Sequence, residues 1–164
     1  MGNGFRLEQP NETHEKAYKN LVQAWDNTGI KLPRMLLDEN YPQVLLSFSK
    51  YKKADLPYST YLLMKDDKAL GVVTLRHKLD TFLQEFGGHL SYSIRPDERG
   101  KGLEQQVVAL CKQAAKVDLA LKTLIVTVSD SNQPMKNAIE NNGGQPASQN
   151  ERGGIEYITY RISL

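Results

Sequence analysis

The run RPDERGKGLEQQ, residues 95–106, sets Gly100 and Gly102 either side of Lys101 and behind Arg99. A strand-like stretch, HLSYSIR, comes before it, and Leu103, Val107, Leu110, Cys111 and Ala114 follow on one helical stripe, so the glycines fall where a strand gives way to a helix. The first N–H groups of a helix lack partners inside it and carry partial positive charge, and glycines let an anion approach the backbone closely. Such a junction can hold a phosphate, with Arg99 and Lys101 adding charge. An ordinary tight turn is the other reading of the same glycines. Two phosphate motifs are excluded: Gly102 is followed by Leu103, which breaks the P-loop pattern, and the dinucleotide fingerprint lacks its third glycine. Glu104 sets a carboxylate close to the same cradle, although an acid in the first turn of a helix also suits the helix dipole.

Groups able to move protons lie close to this run in sequence. His89, on the strand leading into the turn, titrates in the useful range, and Glu85 just upstream could act through water. His77 is a third candidate base, and each histidine could equally be a hydrogen-bonded structural residue. Tyr92 could supply a phenol near a leaving group, as could Tyr157 or Tyr160 from the last strand, although strand propensity accounts for all three. Cys111, the only cysteine, sits in an apolar stripe and reads as buried packing; it excludes an intramolecular disulfide, and no metal site is expected.

These residues need a scaffold, and the chain supplies one. Phe5–Glu8 reads as a first strand, and Asn11 or Thr13 can cap a helix carrying Ala17, Leu21, Val22 and Trp25, ended by Thr28 and Gly29. Tyr41–Tyr51 repeats Val44, Leu45 and Phe48 as a second amphipathic helix, which Pro57 bars from continuing. YSTYLLMK and ALGVVTLRHK form a hairpin about Asp66, Asp67 and Lys68, and LDTFLQEF is a short helical flap with Leu79, Phe82, Leu83 and Phe86 on one side. LKTLIVTVS is so continuously apolar that it predicts a strand covered on both faces in mid-sheet. Asn132 and Pro134 start a further helix, Asn142 and Gly143 stop it, and GIEYITYRIS alternates as a last strand.

With 164 residues, 40% hydrophobic and 24% charged, the chain is long enough for one full core, and a single domain over 1–164 is expected. Lys and Arg number 21 against 19 acids, a formal charge of +2, so charge suggests no nucleic-acid partner. The KYKK run, residues 50–53, reads as a solvated helix face. No stretch suits a membrane span or a leader, and a soluble protein of the reducing cytoplasm is the expectation.

IRPDERGKGLEQ resembles the acetyl-CoA motif of the GNAT (GCN5-related) N-acetyltransferases: Arg or Gln, two residues, Gly, one residue, then Gly or Ala. RHKLDTFLQEFGGHLSYSIRPDERGKG resembles a branch of predicted bacterial acetyltransferases, and the likeness runs over roughly residues 58–164. It implies a mixed α/β (α+β) fold with a central sheet of about six or seven strands flanked by helices. It implies acetyl-CoA as cofactor and direct transfer to a primary amine, on a small molecule or a protein, within a ternary complex. Residue by residue, it implies that backbone groups about Ile94 pair with the pantetheine arm. The N–H groups of Gly100, Lys101, Gly102, Leu103 and Glu104 would hold the diphosphate, Arg99 would shape the turn, and Asn132 would touch the cofactor from the next helix. The chain departs from the pattern at Glu104, where Gly or Ala is usual, at Met135, where Ser is common, and at Ile139, where a proton-donating Tyr often stands. Those departures support an alternative, a GNAT-like module that binds acyl-CoA or a partner without efficient transfer. Oligomeric state stays open, a homodimer included.

Overall fold

In the computed structural model, which describes residues 4–33, 35–36 and 40–164, the first four strands form one antiparallel sheet in the order β1-β2-β3-β4. These are β1 (Phe5–Glu8), β2 (Tyr58–Lys65), β3 (Lys68–Arg76) and β4 (Leu90–Ile94). The β2–β3 hairpin turns where the sequence predicts, and Asp66 takes the left-handed conformation that Asp tolerates in tight turns. A second antiparallel sheet, order β5-β7-β6, comprises β5 (Thr123–Ser129), β6 (Gln145–Arg152) and β7 (Ile155–Ser163).

Five α-helices flank the sheets among the described residues: α1 (Glu15–Asp26), α2 (Tyr41–Tyr51), α3 (Thr81–Phe86), α4 (Leu103–Val117) and α5 (Gln133–Asn141). Their starts follow the sequence signals. Asn11 caps a short 3-10 turn ahead of α1, while Thr13 donates to the Asn11 side chain instead of capping. Asn40, Asp80 and Asn132 cap α2, α3 and α5, each by accepting a backbone N–H.

Strand alternation sorts the core into two layers. Tyr61, Leu63, Leu70, Val73 and Leu75 meet α4, α5 and the inner residues of β5 and β7, whereas Leu62, Met64, Ala69 and Val72 meet Tyr18, Leu21, Trp25, Val44 and Phe48 of α1 and α2. Cys111 is buried in the first layer, and burial pushes its thiol well above the ordinary range, so it stays a packed, protonated group.

Two differences from the sequence reading have clear causes. β5 is fully covered on one face only: Leu124, Val126 and Val128 are buried while Thr123, Ile125, Thr127 and Ser129 are half-buried, because among the described residues the short α3 alone lies over part of the second sheet on that side. β6 leaves no strand signal in the sequence because QPASQNER carries no apolar alternation; its residues are largely exposed, and pairing with β7 holds it in place.

The gap between the sheets positions the site. Between β4 and β5 the described residues show an isolated bridge, Gly88 to Val126, with His89 N–H donating to Ile125 O at 2.7 Å. A Cβ on Gly88 would stand 2.7 Å from Ile125 O, so only glycine lets the strands meet there, and its φ of +63° is one glycine adopts freely. From Gly88 towards Ile94 the strands carry no further ladder, and the edge of β4 is open.

Candidate functional site

β4 is paired to β3 on one side, and Arg95 N–H donates to Leu70 O at 2.9 Å. Backbone groups alternate in direction along an antiparallel strand, so those of Tyr92 and Ile94 face away from β3, towards the gap. Arg99 Nε donates to Ile94 O at 3.0 Å, and its guanidinium lies 5.9 Å from the centre of the Trp25 ring. Arg99 therefore closes the turn between β4 and α4 and ties it to α1.

The glycines of that turn are both left-handed, Gly100 at φ +77° and Gly102 at φ +75°, and a Cβ on either would find no atom within 4 Å. Gly102 caps α4 without any side-chain hydrogen bond to the first turn. The opening N–H groups of a fifteen-residue helix, beginning with Leu103 and Glu104, thus have no side-chain cap, and the glycines before them leave room for an anion to approach, as a bound diphosphate requires. The residues present fit the phosphate end of coenzyme A. Lys101 is directed elsewhere: it and Lys68 bracket Glu98, at 3.0 and 2.7 Å, and together they hold that carboxyl below its usual range. Only the Lys101 backbone remains for the cradle.

Tyr92 is half-buried, and burial raises its phenol above the ordinary value, against a hydrogen bond with the Asn132 side chain; Glu104 raises it further and Arg99 lowers it. Tyr92, Asn132, Glu104 and Arg99 therefore share one neighbourhood, which the sequence reading placed on three separate elements. Asn132 also accepts from Met135 N–H at 3.4 Å as the cap of α5. Met135 and Ile139 are both in the core, at 2% and 0% exposure, so neither position offers a polar group to the gap.

His89 has a different position from the one expected of a base. Ile125 N–H donates to its Nδ1 at 2.9 Å, which puts the ring proton on Nε2, and burial, helped by Arg76, lowers its pKa to about 4. His89 pins β4 to β5 as a neutral acceptor. Glu85 is exposed on α3, whose main chain is held to β7 where Thr159 Oγ1 meets Glu85 O at 3.4 Å. His77 Nε2 is 2.7 Å from Ser59 Oγ, and burial lowers its pKa. Tyr160 is buried with its hydroxyl donating to Glu140 at 3.0 Å, and Tyr157 packs edge-on against Phe86.

Sequence reasoning missed Arg95, which is 5% exposed and donates to Asp97, Asn20 Oδ1 and Ala69 O, fastening the turn to α1 and β3. An arginine at a strand end with Asp two residues on was the available signal. Among the described residues no cluster of His, Cys, Asp and Glu could hold a metal, and no helix is long and apolar enough to cross a membrane.

A family model described as an acetyltransferase (GNAT) domain matches residues 5–145. No curated protein sequence matches the chain. Among solved structures, the chain is similar to RimL, a ribosomal L7/L12 alpha-N-protein acetyltransferase in complex with coenzyme A, with 12% identity over 99% of this chain and 96% of that one and a TM-score of 0.69. It is similar to the ribosomal-protein-S5-alanine acetyltransferase of Vibrio fischeri, with 13% identity, coverage of 99% and 94%, and a TM-score of 0.72. A chimera of spermidine N-acetyltransferase SpeG from Vibrio cholerae and hSSAT matches with 14% identity, coverage of 98% and 96%, and a TM-score of 0.64. At these identities the likeness is one of fold.

Proposed function

The chain belongs to the GNAT acetyltransferases, and from that premise we propose that it transfers an acetyl group from acetyl-CoA to a primary amine by direct attack in a ternary complex. The observation that carries this reading is the uncapped start of α4, framed by left-handed Gly100 and Gly102, beside the open edge of β4. Acetyl-CoA, when bound, supplies an acetyl group activated as a thioester.

The chain's own residues then have distinct tasks. Main-chain N–H groups from Gly100 to Glu104 bind the diphosphate, and Arg99 holds the turn in shape through Ile94 O. The backbone of Tyr92 and Ile94 on the open edge orients the pantetheine arm, and an edge N–H donates to the thioester oxygen. The Tyr92 phenol, kept protonated by burial, is the proton donor for the leaving sulfur, taking the role that Ile139 cannot fill. His89, with its proton on Nε2, holds the strands in place and takes no proton. Glu85, on the exposed flap, draws the amine's proton through water.

Two measurements test this. Acetyl-CoA should raise the melting temperature with ligand concentration, because the helix-start groups exist only in the folded state. Tyr92→Phe should lower kcat by roughly ten- to a hundredfold with coenzyme A affinity unchanged. No thermal shift at millimolar acetyl-CoA overturns the reading. The second reading, a module that binds without efficient transfer, is favoured by the burial of Ile139 and the engaged Nδ1 of His89; binding without turnover on any amine would select it.

A further inference from the structure

The face of β2, β3 and β4 turned towards α1 and α2 is apolar at one end, where Leu62, Met64, Ala69 and Val72 pack. At the other end it is polar. Thr60, Thr74 and Ser91 are cross-strand partners in a single row, and Arg76 stands two residues along β3 from Thr74, hence on the same face. Arg76 is half-buried, and its Nη1 donates to Gly88 O and to Ser91 Oγ, both at 3.0 Å, with a longer contact to Gly87 O. Among the described residues its Nε and Nη2 make no hydrogen bond, and none of the ion pairs involves it. A second group in the row is also unpartnered: Thr74 is 5% exposed and its Oγ1 has no hydrogen bond.

Burying a cation without an anion, or a hydroxyl without a partner, costs stability that packing alone would select against. Anchoring the Gly88 turn uses one nitrogen of Arg76 and leaves an edge of the planar fork whose two parallel donors match a carboxylate. The uncompensated charge is felt at His89, whose imidazole Arg76 helps keep neutral. Ser91 directly precedes Tyr92 on β4, so the row ends on the strand whose far edge is open, with the Tyr92 side chain on the opposite face of the sheet.

We infer that Arg76, with Thr74 and Ser91, recognises a carboxylate on the acceptor, so that the acceptor class is an amino acid or similar small amine bearing a carboxylate. This deepens the transfer reading above and rests on it. A protein N-terminus has no free carboxylate beside its amine, so the site separates the two acceptor classes. Arg76 acts here by binding and orienting substrate, the carboxylate pairing with the fork while the amine is left free to attack.

Ligand-observed NMR with an equimolar pool of the protein amino acids, compared with a pool of their α-amides, tests this on the full chain. At least one amino acid should bind ten times or more tightly than its amide, and Arg76→Gln should abolish that preference while Arg76→Lys, which keeps the charge but loses the fork, restores it in part. Acids and amides binding equally to the wild type, no acid binding at all, or an undiminished preference in Arg76→Gln would each overturn the assignment; the first two outcomes need no variant to fold. Coenzyme A is titrated separately, and its failure to bind would sink the transfer reading while the acid-to-amide ratio still decides this one.

Discussion

Arg99 Nε donates to Ile94 O at 3.0 Å, so the arginine that opens the glycine turn ties one nitrogen to the strand end that the turn leaves behind. That bond makes the guanidinium a brace for the turn, and the main-chain N–H groups of the helix start add positive character of their own. The same bond fills a lone pair of Ile94 at the open edge, which leaves neighbouring edge groups for an arm of substrate.

Arg99→Ala should therefore act on folding as well as on binding. A hydrogen bond from a charged donor is worth roughly 1.5–3 kcal/mol in a buried setting, and exposure of Arg99 reduces that to about 1 kcal/mol. For a chain of this size the melting temperature should fall by about 2–4 °C without ligand, with a loss of coenzyme A affinity on top. Affinity lost with no change in the ligand-free melt would mean that Arg99 touches phosphate directly.

Much of this arrangement was legible because it rests on local rules. Asn132 before Pro134 announces a capped helix, and Gly100 and Gly102 announce left-handed turns at a helix start. What escaped depends on partners distant in sequence. β6 carries no apolar periodicity and exists because β7 pairs with it. The half-exposed face of β5 could not be told from its composition, since Ile125 is as apolar as Val126 and only their cover, the short α3 on one side and the core with α4 and α5 on the other, separates them. His89 looks like a base in sequence and becomes a bridge because Ile125, far along the chain, donates to its Nδ1. Nothing local in ALGVVTLRHK marks Arg76, because its lack of an ion pair among the described residues depends on what the rest of the fold brings near it.

The bridge at His89 predicts a pH dependence. Its pKa is depressed from 6.5 to about 4, first by burial and then by Arg76, so the unfolded chain binds a proton that the folded one refuses. The stability tied to neutral His89 is complete above pH 6.5 and is lost as pH falls from there towards 4, by an amount on the order of 3 kcal/mol. Thermal melts between pH 7 and 4 should steepen in that window. In His89→Gln, whose amide oxygen can still accept from Ile125 N–H, the slope above the carboxylate range should flatten, and an unchanged slope would place the titrating group elsewhere.

Gly102 has φ +75° and open space around a would-be Cβ, so any penalty there is conformational and not a clash. Gly102→Ala should cost about 1–2 kcal/mol in the ligand-free protein, and Gly102→Asn less, since Asn tolerates the left-handed region. Gly102→Val should cost more than either, because a branched side chain is least at home at positive φ. All three should weaken coenzyme A binding by standing where the diphosphate meets the backbone. Equal melting temperatures for the Ala and Asn variants would remove the conformational explanation.

Glu104, the second residue of α4, is half-buried and close enough to Tyr92 to help raise its phenol. Its carboxylate gains from the helix dipole by roughly 0.3–1 kcal/mol, yet it shares the helix start with the N–H groups that would receive a diphosphate. If the acid is there for the helix alone, Glu104→Gln should tighten coenzyme A binding by about 1 kcal/mol, since two charges about 4 Å apart interact by that much in water and more in a drier gap. The gain should shrink as salt rises, because screening weakens the repulsion that the variant removes. Dephospho-coenzyme A, which keeps the diphosphate and lacks the ribose phosphate, should show nearly the same gain if the carboxylate faces the diphosphate. The helix itself should lose a few tenths of a kcal/mol, and the Tyr92 phenol should titrate lower once the neighbouring charge is gone. Titration calorimetry on wild type and variant with both ligands at two salt concentrations, with a phenolate absorbance titration alongside, reads all of these. Weaker binding in Glu104→Gln would instead make the carboxylate a working contact of the site, reaching past the diphosphate towards Tyr92.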